Sequence, residues 1–337
     1  MIQDLSACVS SSSIILDDEI KQRSHHIWEM DQPLNARAVL LPKSTAEVSK
    51  IIKVCNQHKH PVVLHGGLTG LVGGTETAGI EIVISFERMN SIEEVDPIGR
   101  TITVQAGVIL EQVQEAAARN NLLFPLNFGA KGSAQVGGIL ATNAGGLRVL
   151  RYGMTRNLVL GVEAVLADGT VINSLKKLVK DNSGYDLKQL FIGSEGTLGL
   201  VTRAVLRLVE EPKTRVSALA GVQDYEKVTR FLKHMDQGLA GGLSSFEIMW
   251  PDTYKVLTDP PANVPPPLGP NEHNYYVLLD FLGHDGDADQ TLFQKLLEQA
   301  LDKEIIEDVV PTVSPSEIER LWSIRENVDV MIASCQY

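Results

Sequence analysis

The sequence predicts an α+β chain of two domains, a glycine-rich first domain followed by a second built on an antiparallel sheet. Three observations lead there. At 337 residues the chain has the length for roughly two hydrophobic cores. Apolar runs of strand length alternate along it with segments of helical period. The first part carries three glycine clusters, and the composition changes after Glu211-Pro212, where we place a boundary.

The elements follow in order. Residues 1–32 read as a leading helix and loop. Residues 44–59 open on a Ser-Thr cap and bring Val48, Ile51, Ile52 and Cys55 to one side, the pattern of a capped amphipathic helix. "PVVLH" (61–65) is a buried strand that runs into the first glycine cluster. "IEIVIS", "IEEVD" and "TITVQAG" are short strands, with "DPIG" turning between the last two. "ILEQVQEAAARNN" is a helix stopped by paired asparagines. "LVLGVEAVLA" and "VINS" form a hairpin through Asp168-Gly169, a short helix lies around "YDLKQLF", and "RAVLRLVE" closes the domain. Beyond the boundary, "DYEKVTRFLKHMDQGL" and "DADQTLFQKLLEQALDK" are helices and "SSFEIMW" and "YYVLLDFLG" are strands. The proline-rich stretch 260–270 between those strands is a surface loop.

Composition excludes several functions. With 44% hydrophobic and 21% charged residues the chain is of ordinary globular type. A net charge of −12, with no local cluster of Lys and Arg, argues against a nucleic-acid partner. Cys8, Cys55 and Cys335 are odd in number and far apart, which fits a reducing compartment. No stretch has the apolar length of a membrane span, and the first residues are too acidic for an organelle transit peptide. The expectation is a cytoplasmic protein. His25-His26 and His58-x-His60 lack a third ligand at useful spacing, so they read as surface residues and no metal site is expected.

The glycine clusters carry the chemistry. "GGLTGLVGG" (66–74) follows a strand, yet it fits neither G-x-G-x-x-G nor the phosphate-loop pattern that ends in Gly-Lys-Ser/Thr. Without Cβ atoms, several backbone amides can turn toward one phosphate, so the loop suits a phosphate-bearing ligand, against the alternative of a structural run of tight turns. The second and third clusters, 128–153 and 193–202, also sit at element junctions. Thr69, Ser133, Thr142, Asn143 and Glu195 lie among these glycines, and such side chains suit an extended ligand with a pyrophosphate and several hydrogen-bonding edges.

Five segments in fixed order, "GGLTGLVGG", "NFGAKGSAQVGGILATNAGGLRVLRYG", "GVEAVLADGT", "KDNSGYDLKQLFIGSEGTLGLVT" and "LWSIRE", closely resemble the FAD-linked D-2-hydroxyacid dehydrogenases. That group includes D-2-hydroxyglutarate and D-lactate dehydrogenases and the glycolate oxidase D subunit. It belongs to the vanillyl-alcohol oxidase / p-cresol methylhydroxylase flavoproteins. The resemblance implies a two-subdomain FAD-binding domain over residues 33–212 and a partial substrate-binding cap domain of α+β type over 213–337. It implies that Gly66, Gly67, Leu68, Thr69, Gly70, Leu71 and Gly74 wrap the FAD pyrophosphate. Ser133, Gly137 and Gly138 would lie near pyrophosphate and ribityl chain. Ala141, Thr142, Asn143, Ala144 and Gly145 would run under the flavin ring, with Tyr152 and Gly153 closing the same wall. Glu195, Gly196, Gly199 and Val201 would face the adenosine end, Glu195 having the alternative role of satisfying nearby amides. Most members of the group have Asn where this chain has Leu68. Covalent members of the superfamily place a histidine near that position, so the resemblance implies non-covalent FAD here. His65 is read as a packing or loop residue.

The implied reaction moves a hydride from the α-carbon of a D-2-hydroxy acid to flavin N5, leaving a 2-oxo acid. Arg325 is the implied holder of the substrate carboxylate, which a guanidinium grips with two parallel hydrogen bonds, the alternative being a helix-surface arginine paired with Glu326 or Glu319. The other implied partners are an electron acceptor (quinone, electron-transfer flavoprotein or cytochrome) and a second copy of the chain in a homodimer. In the relatives a Zn-type metal site, Gly-His-x-Gly-Asp-Gly-Asn, and the active-site base come later, and neither is found here. The expectation is therefore an incomplete cap and little turnover by residues 1–337 alone. A flavin-binding chain that needs a partner to complete its site is the alternative.

Overall fold

The computed structural model describes residues 1–260, 262, 264–312, 314–327 and 330, and Cys335 lies outside them. The chain divides into two compact units, Met1–Gly145 with Met154–Glu211, and Gly146–Gly153 with Pro212–Tyr337.

In the first unit, helix α1 (Ile2–Ser6) precedes β1 (Ile14–Ile15) and β2 (Ala38–Leu40). Helix α2 (Thr45–Gln57) starts where the Ser44 side chain accepts the Glu47 amide, and its Val48, Ile51, Ile52 and Cys55 are all buried. β3 (Val62–His65) and β4 (Ile82–Ser85) complete a sheet of order β1-β2-β4-β3, in which β2, β4 and β3 are parallel. β3 is an edge strand, so only His65 of it is fully buried, less than "PVVLH" suggests. Parallel neighbours need a return connection. Between β3 and β4 the first glycine cluster makes that return in place of a helix.

β5 (Ile92–Asp96), β6 (Thr101–Gln105), helix α3 (Leu110–Ala118), β7 (Leu122–Leu123) and helix α4 (Val136–Ala141) follow. The chain then passes through helix α5 (Val149–Tyr152), which belongs to the second unit. It returns as α6 (Thr155–Leu158), β8 (Val159–Val165), β9 (Val171–Ser174), α7 (Lys188–Phe191), β10 (Leu200–Arg207) and β11 (Val209–Glu210). The second sheet, β5-β6-β10-β8-β9, is antiparallel throughout. Its β8–β9 turn docks on α2: Ser49 Oγ donates to the Gly169 carbonyl at 2.5 Å, and Gly169 has the left-handed φ of 80° that such a turn needs. One core joins the two sheets, with Leu40, Ile51 and Ile84 packed together with Ala106, Val165 and Leu200.

The second unit holds β12 (Thr214–Val222), α8 (Tyr225–Gly238), β13 (Leu243–Met249), α9 (Pro251–Thr258), β14 (Tyr275–Gly283), α10 (Gly286–Asp302), β15 (Asp308–Thr312) and α11 (Pro315–Glu326). Its antiparallel sheet runs β13-β14-β12-β15. α8 and α10 bury Phe231 and Phe293 against one face. α9 and α11 bury Tyr254 and Trp322 against the other, where Leu147 also packs.

Two expectations change. Residues 1–32 are not a separate leader, because Leu5 and Val9 belong to the core that α2 closes. Residues 146–153 leave the span 33–212 because α5 packs on β13.

Candidate functional site

His65 ends β3 and fixes the loop that follows. It is buried, and its Nε2 donates to the Thr75 carbonyl at 2.9 Å. Burial pulls its pKa down to about 4, so the ring is neutral at working pH. Thr75 Oγ1 in turn donates to the His25 carbonyl at 2.8 Å. The loop is thereby pinned at both ends, and His65 has the loop role expected of it. Inside the loop, the Leu68 carbonyl accepts from the Ile27 amide at 3.1 Å. The amides from Gly66 through Val72 have no hydrogen-bond acceptor among the described residues. Leu68 itself holds a left-handed φ of 56°, and Gly73 one of 72°.

The second cluster lies directly against the first. A Cβ on Gly67 would overlap the Ser133 carbonyl oxygen, and one on Gly66 would sit 3.8 Å from the Gly138 amide nitrogen. Gly138 Cα itself faces open space. Gly137 approaches Ala106 so closely that a Cβ would come within 2.9 Å of its methyl group, and its amide donates to the Ala106 carbonyl at 2.7 Å. Gln135 stands at this junction with a buried Oε1 that has no partner. The sequence reading missed Gln135, because attention to glycines and hydroxyls passes over an amide side chain.

The third cluster joins the second through backbone bonds. Gly193 donates to the Leu140 carbonyl at 3.0 Å and Glu195 to that of Ala141 at 2.8 Å. Arg156 rivets the pair, donating to Gln189 Oε1 at 3.0 Å and the Ile192 carbonyl at 2.9 Å while its amide donates to Asn143 Oδ1 at 3.0 Å. A Cβ on Gly196 would meet Leu64 of β3 at 2.6 Å, which returns the third cluster to the first. The first cluster, the second up to Gly145 and the third therefore converge within the first unit.

Individual residues fare unevenly. Ser133, Thr142 and Gly145 are exposed, and Thr69 and Ala144 partly so. Gly70 and Gly74 face open space. The Thr142 hydroxyl is engaged with the Gly138 carbonyl at 2.9 Å. Glu195 is exposed at a φ of 51°, and no amide donates to its carboxylate among the described residues, so its alternative role is not met. Gly199 packs under Phe191, and Val201 is buried in β10 opposite Ala164, positions that sheet packing explains without a ligand. Leu71 is a 70% exposed loop-tip residue. Tyr152 and Gly153 fall in the second unit, where Arg151 lies over the Tyr152 ring.

An elongated anionic ligand fits this cradle. It offers a run of free amides, close backbone approach at glycines and an orphaned buried amide oxygen, the features that FAD's pyrophosphate and hydrogen-bonding edges would use.

In the second unit, Arg325 lies in the last turn of α11 and donates from Nε to Glu247 Oε2 at 2.9 Å. Its partner is this β13 carboxylate, and neither Glu326 nor Glu319. A bond at Nε leaves the two terminal nitrogens of the guanidinium for a bidentate contact. Nearby on the same motif, Trp322 Nε1 donates to Asp280 Oδ1 at 2.6 Å. For the histidines read as surface residues, His25 pairs with Glu29 and His58 with Asp4, whereas His26 and His60 each bury Nε2. Among the described residues no group of three or more His, Cys, Asp or Glu is placed to hold a metal, and no helix is long and apolar enough to cross a membrane.

Comparison with known proteins agrees with this geometry. Residues 36–174 match the FAD binding domain family, and residues 211–334 match the C-terminal domain of FAD linked oxidases. The chain is 44% identical over 294 residues to a putative mitochondrial D-lactate dehydrogenase of Schizosaccharomyces pombe, covering 87% of this chain and 56% of that protein. It is 36% identical over 320 residues to the mitochondrial D-2-hydroxyglutarate dehydrogenase of Danio rerio, covering 93% and 58%. The chain thus spans little more than half the length of these relatives. Among solved structures, p-cresol methylhydroxylase with substrate bound superposes with a TM-score of 0.71 at 15% identity, over 95% of this chain and 68% of that one. An alkyldihydroxyacetonephosphate synthase superposes with a TM-score of 0.76 at 16% identity, over 98% and 65%. The fold is therefore the p-cresol methylhydroxylase type. Both named relatives are mitochondrial, which overturns the expectation of a cytoplasmic chain; thiol usage separates reducing from oxidising compartments and resolves nothing finer. With an FAD binding domain over residues 36–174 and the C-terminal domain of FAD linked oxidases over residues 211–334, the chain carries the domain pair of FAD linked oxidases and is similar along most of its length to D-lactate and D-2-hydroxyglutarate dehydrogenases.

Proposed function

We propose that the protein oxidises a D-2-hydroxy acid of the D-lactate, D-2-hydroxyglutarate or glycolate class to the 2-oxo acid in mitochondria, using non-covalent FAD. The observation that carries this reading is the convergence of the free amides of Gly66–Val72 with Ser133–Gly138 and Gly193–Gly196. When bound, FAD supplies the acceptor for the α-carbon hydride. The chain's own residues do the rest. The amides of Gly66, Gly67, Leu68, Thr69, Gly70 and Leu71, with Gly74 and Gly138, hold the pyrophosphate, and Gln135 adds a buried amide. Ala141–Gly145 offer a small-residue surface for a flat ring. Leu68 has no nucleophilic atom, so the flavin stays unattached. Arg325, oriented by Glu247, takes the α-carboxylate. Electrons then leave to a quinone, a flavoprotein or a cytochrome.

The test is anaerobic spectroscopy of the natural gene product. D-lactate or D-2-hydroxyglutarate should bleach its flavin absorbance, and Arg325→Lys should raise the acid concentration needed by about 10- to 100-fold without loss of flavin. A flavin band that none of the three acids alters would contradict the proposed chemistry. Flavin lost on Arg325→Lys would contradict the assignment of that arginine.

A further inference from the structure

On one face of the second unit's sheet, the register places Ser217 of β12 opposite Asp280 of β14, and Asp280 opposite Ser245 of β13. Two residues along on the same face, Leu278 of β14 stands between Leu219 of β12 and Glu247 of β13. Helix α11 packs here, burying Ile318, Leu321 and Trp322 with Leu219, Tyr276 and Leu278. Asp280 interrupts this apolar surface. It is 1% exposed, and both its oxygens are engaged. Oδ1 accepts from Ser217 Oγ and, at 2.6 Å, from Trp322 Nε1 of α11. Oδ2 accepts from Arg215 Nε at 2.8 Å, and Arg215 Cζ lies 5.5 Å from the centroid of the Trp322 ring.

Stability does not call for a carboxylate at this place. Apolar side chains of similar volume commonly replace a buried ion pair without loss, because the desolvation penalty disappears with the charges. What they cannot do is accept the indole N–H. An indole turns on only two torsions, so its bond to Asp280 fixes the rotation of α11 against the sheet. Arg325 follows Trp322 by three residues, about one turn along the same helix. Its bond to Glu247, at 2.9 Å, holds the guanidinium by Nε alone. The long flexible stem of an arginine can keep such a bond while the helix turns beneath it. Glu247 by itself therefore leaves the terminal nitrogens unaimed. At the outer radius of a helix, about 5–6 Å, a turn of about 10° already moves a side chain by about 1 Å. Misplacement of that size can slow a reaction by about 100-fold.

We propose that the Asp280–Trp322 pair positions Arg325, setting the rotation of α11 so that the terminal guanidinium nitrogens meet the carboxylate of the organic acid. This rests on the hydroxy-acid reading above. Asp280 and Trp322 are positioning residues, which act on the acid through Arg325.

The experiment uses the FAD-loaded natural gene product with pyruvate and 2-oxoglutarate, 2-oxo acids that bind without reducing flavin. Dissociation constants are measured calorimetrically for three variants. Trp322→Phe keeps an aromatic ring and loses the N–H, Asp280→Ala removes the acceptor, and Asp280→Asn keeps an oxygen for the indole. Each is made in the wild-type and Arg325→Lys backgrounds, with flavin content and thermal melting as checks of the fold. Trp322→Phe and Asp280→Ala should each weaken both acids by about 10-fold with flavin retained, and Asp280→Asn by less than about 3-fold. In the Arg325→Lys background the same changes should have less than about 2-fold further effect, because the group they position is gone. Equal weakening in both backgrounds would overturn the proposal, since a merely structural role adds to the loss of Arg325. Wild-type affinity in Trp322→Phe would overturn it too, as would loss of fold or flavin in both Trp322→Phe and Asp280→Ala; all three leave the hydroxy-acid reading intact. Failure of FAD-loaded wild type to bind either acid would remove both together.

Discussion

Leu68 and His65 show how single residues set the glycine loop. Leu68 holds φ at 56°, where a γ-branched side chain is strained and Asn is at ease. An Asn at this position would therefore suit the backbone itself as well as a ligand. Leu68→Asn should raise the stability of the flavin-free protein by about 1 kcal/mol and tighten FAD binding, as melting and titration would show. A lower melting temperature would mean that the Leu68 side chain packs more usefully than its backbone is strained. His65 gives a pH dependence of definite sign. Its folded pKa near 4 lies below the ordinary 6.5, so between these values the unfolded chain takes up a proton that the folded chain does not. Stability should then fall as pH drops through this window, by on the order of 3 kcal/mol in all, and should not change further through His65 below it. His65→Gln, which keeps a donor for the Thr75 carbonyl, should flatten that part of the denaturant midpoint-against-pH curve. An unchanged slope would assign the dependence to other groups.

Elements whose signal is local are legible in the sequence, and those whose reason is distant are not. Helix α2 has its cap, period and buried face within one window, and the β8–β9 hairpin has its Asp168-Gly169 turn. β12 is the counterexample. It is a central strand, yet Ala218, Ala220 and Gly221 give it little strand character, and burial on both faces removes alternation. The last helix, α11, was visible only as a short motif, and the Arg325–Glu247 pair joins residues 78 apart in sequence. Glu163 belongs to this distant class as well. It is 5% exposed on β8 and accepts from Thr45 at 2.5 Å, Thr202 at 3.0 Å and Asn173 at 2.9 Å, with Arg203 at 3.4 Å. One carboxylate thus ties the start of α2 to three strands of the second sheet. Removing it takes an acceptor from the buried Thr202 hydroxyl and the half-buried Thr45 hydroxyl, while Arg203 keeps its pairing with Glu93. Glu163→Ala should therefore cost about 2 kcal/mol in denaturant unfolding. A loss below about 1 kcal/mol would show that water replaces the carboxylate.

At the scale of the molecule, the glycine clusters announce a ligand, and the fold explains why three are needed. Each lies at a junction where backbone must pass close to backbone, Gly67 against Ser133, Gly137 against Ala106 and Gly196 against Leu64. Those approaches leave the amides from Gly66 through Val72 without acceptors among the described residues. Packing alone accounts for Gly199 and Val201, a distinction that one-dimensional sequence cannot draw. The central claim is that these amides hold a pyrophosphate, and comparison of FAD with riboflavin tests it most directly, because riboflavin has the same ring and no phosphate. Calorimetric titration of flavin-free protein should show one FAD bound tightly and riboflavin weaker by at least about 1000-fold, the loss of several charge-assisted hydrogen bonds. Equal affinity for the two, or no binding of FAD at any concentration, would contradict the account.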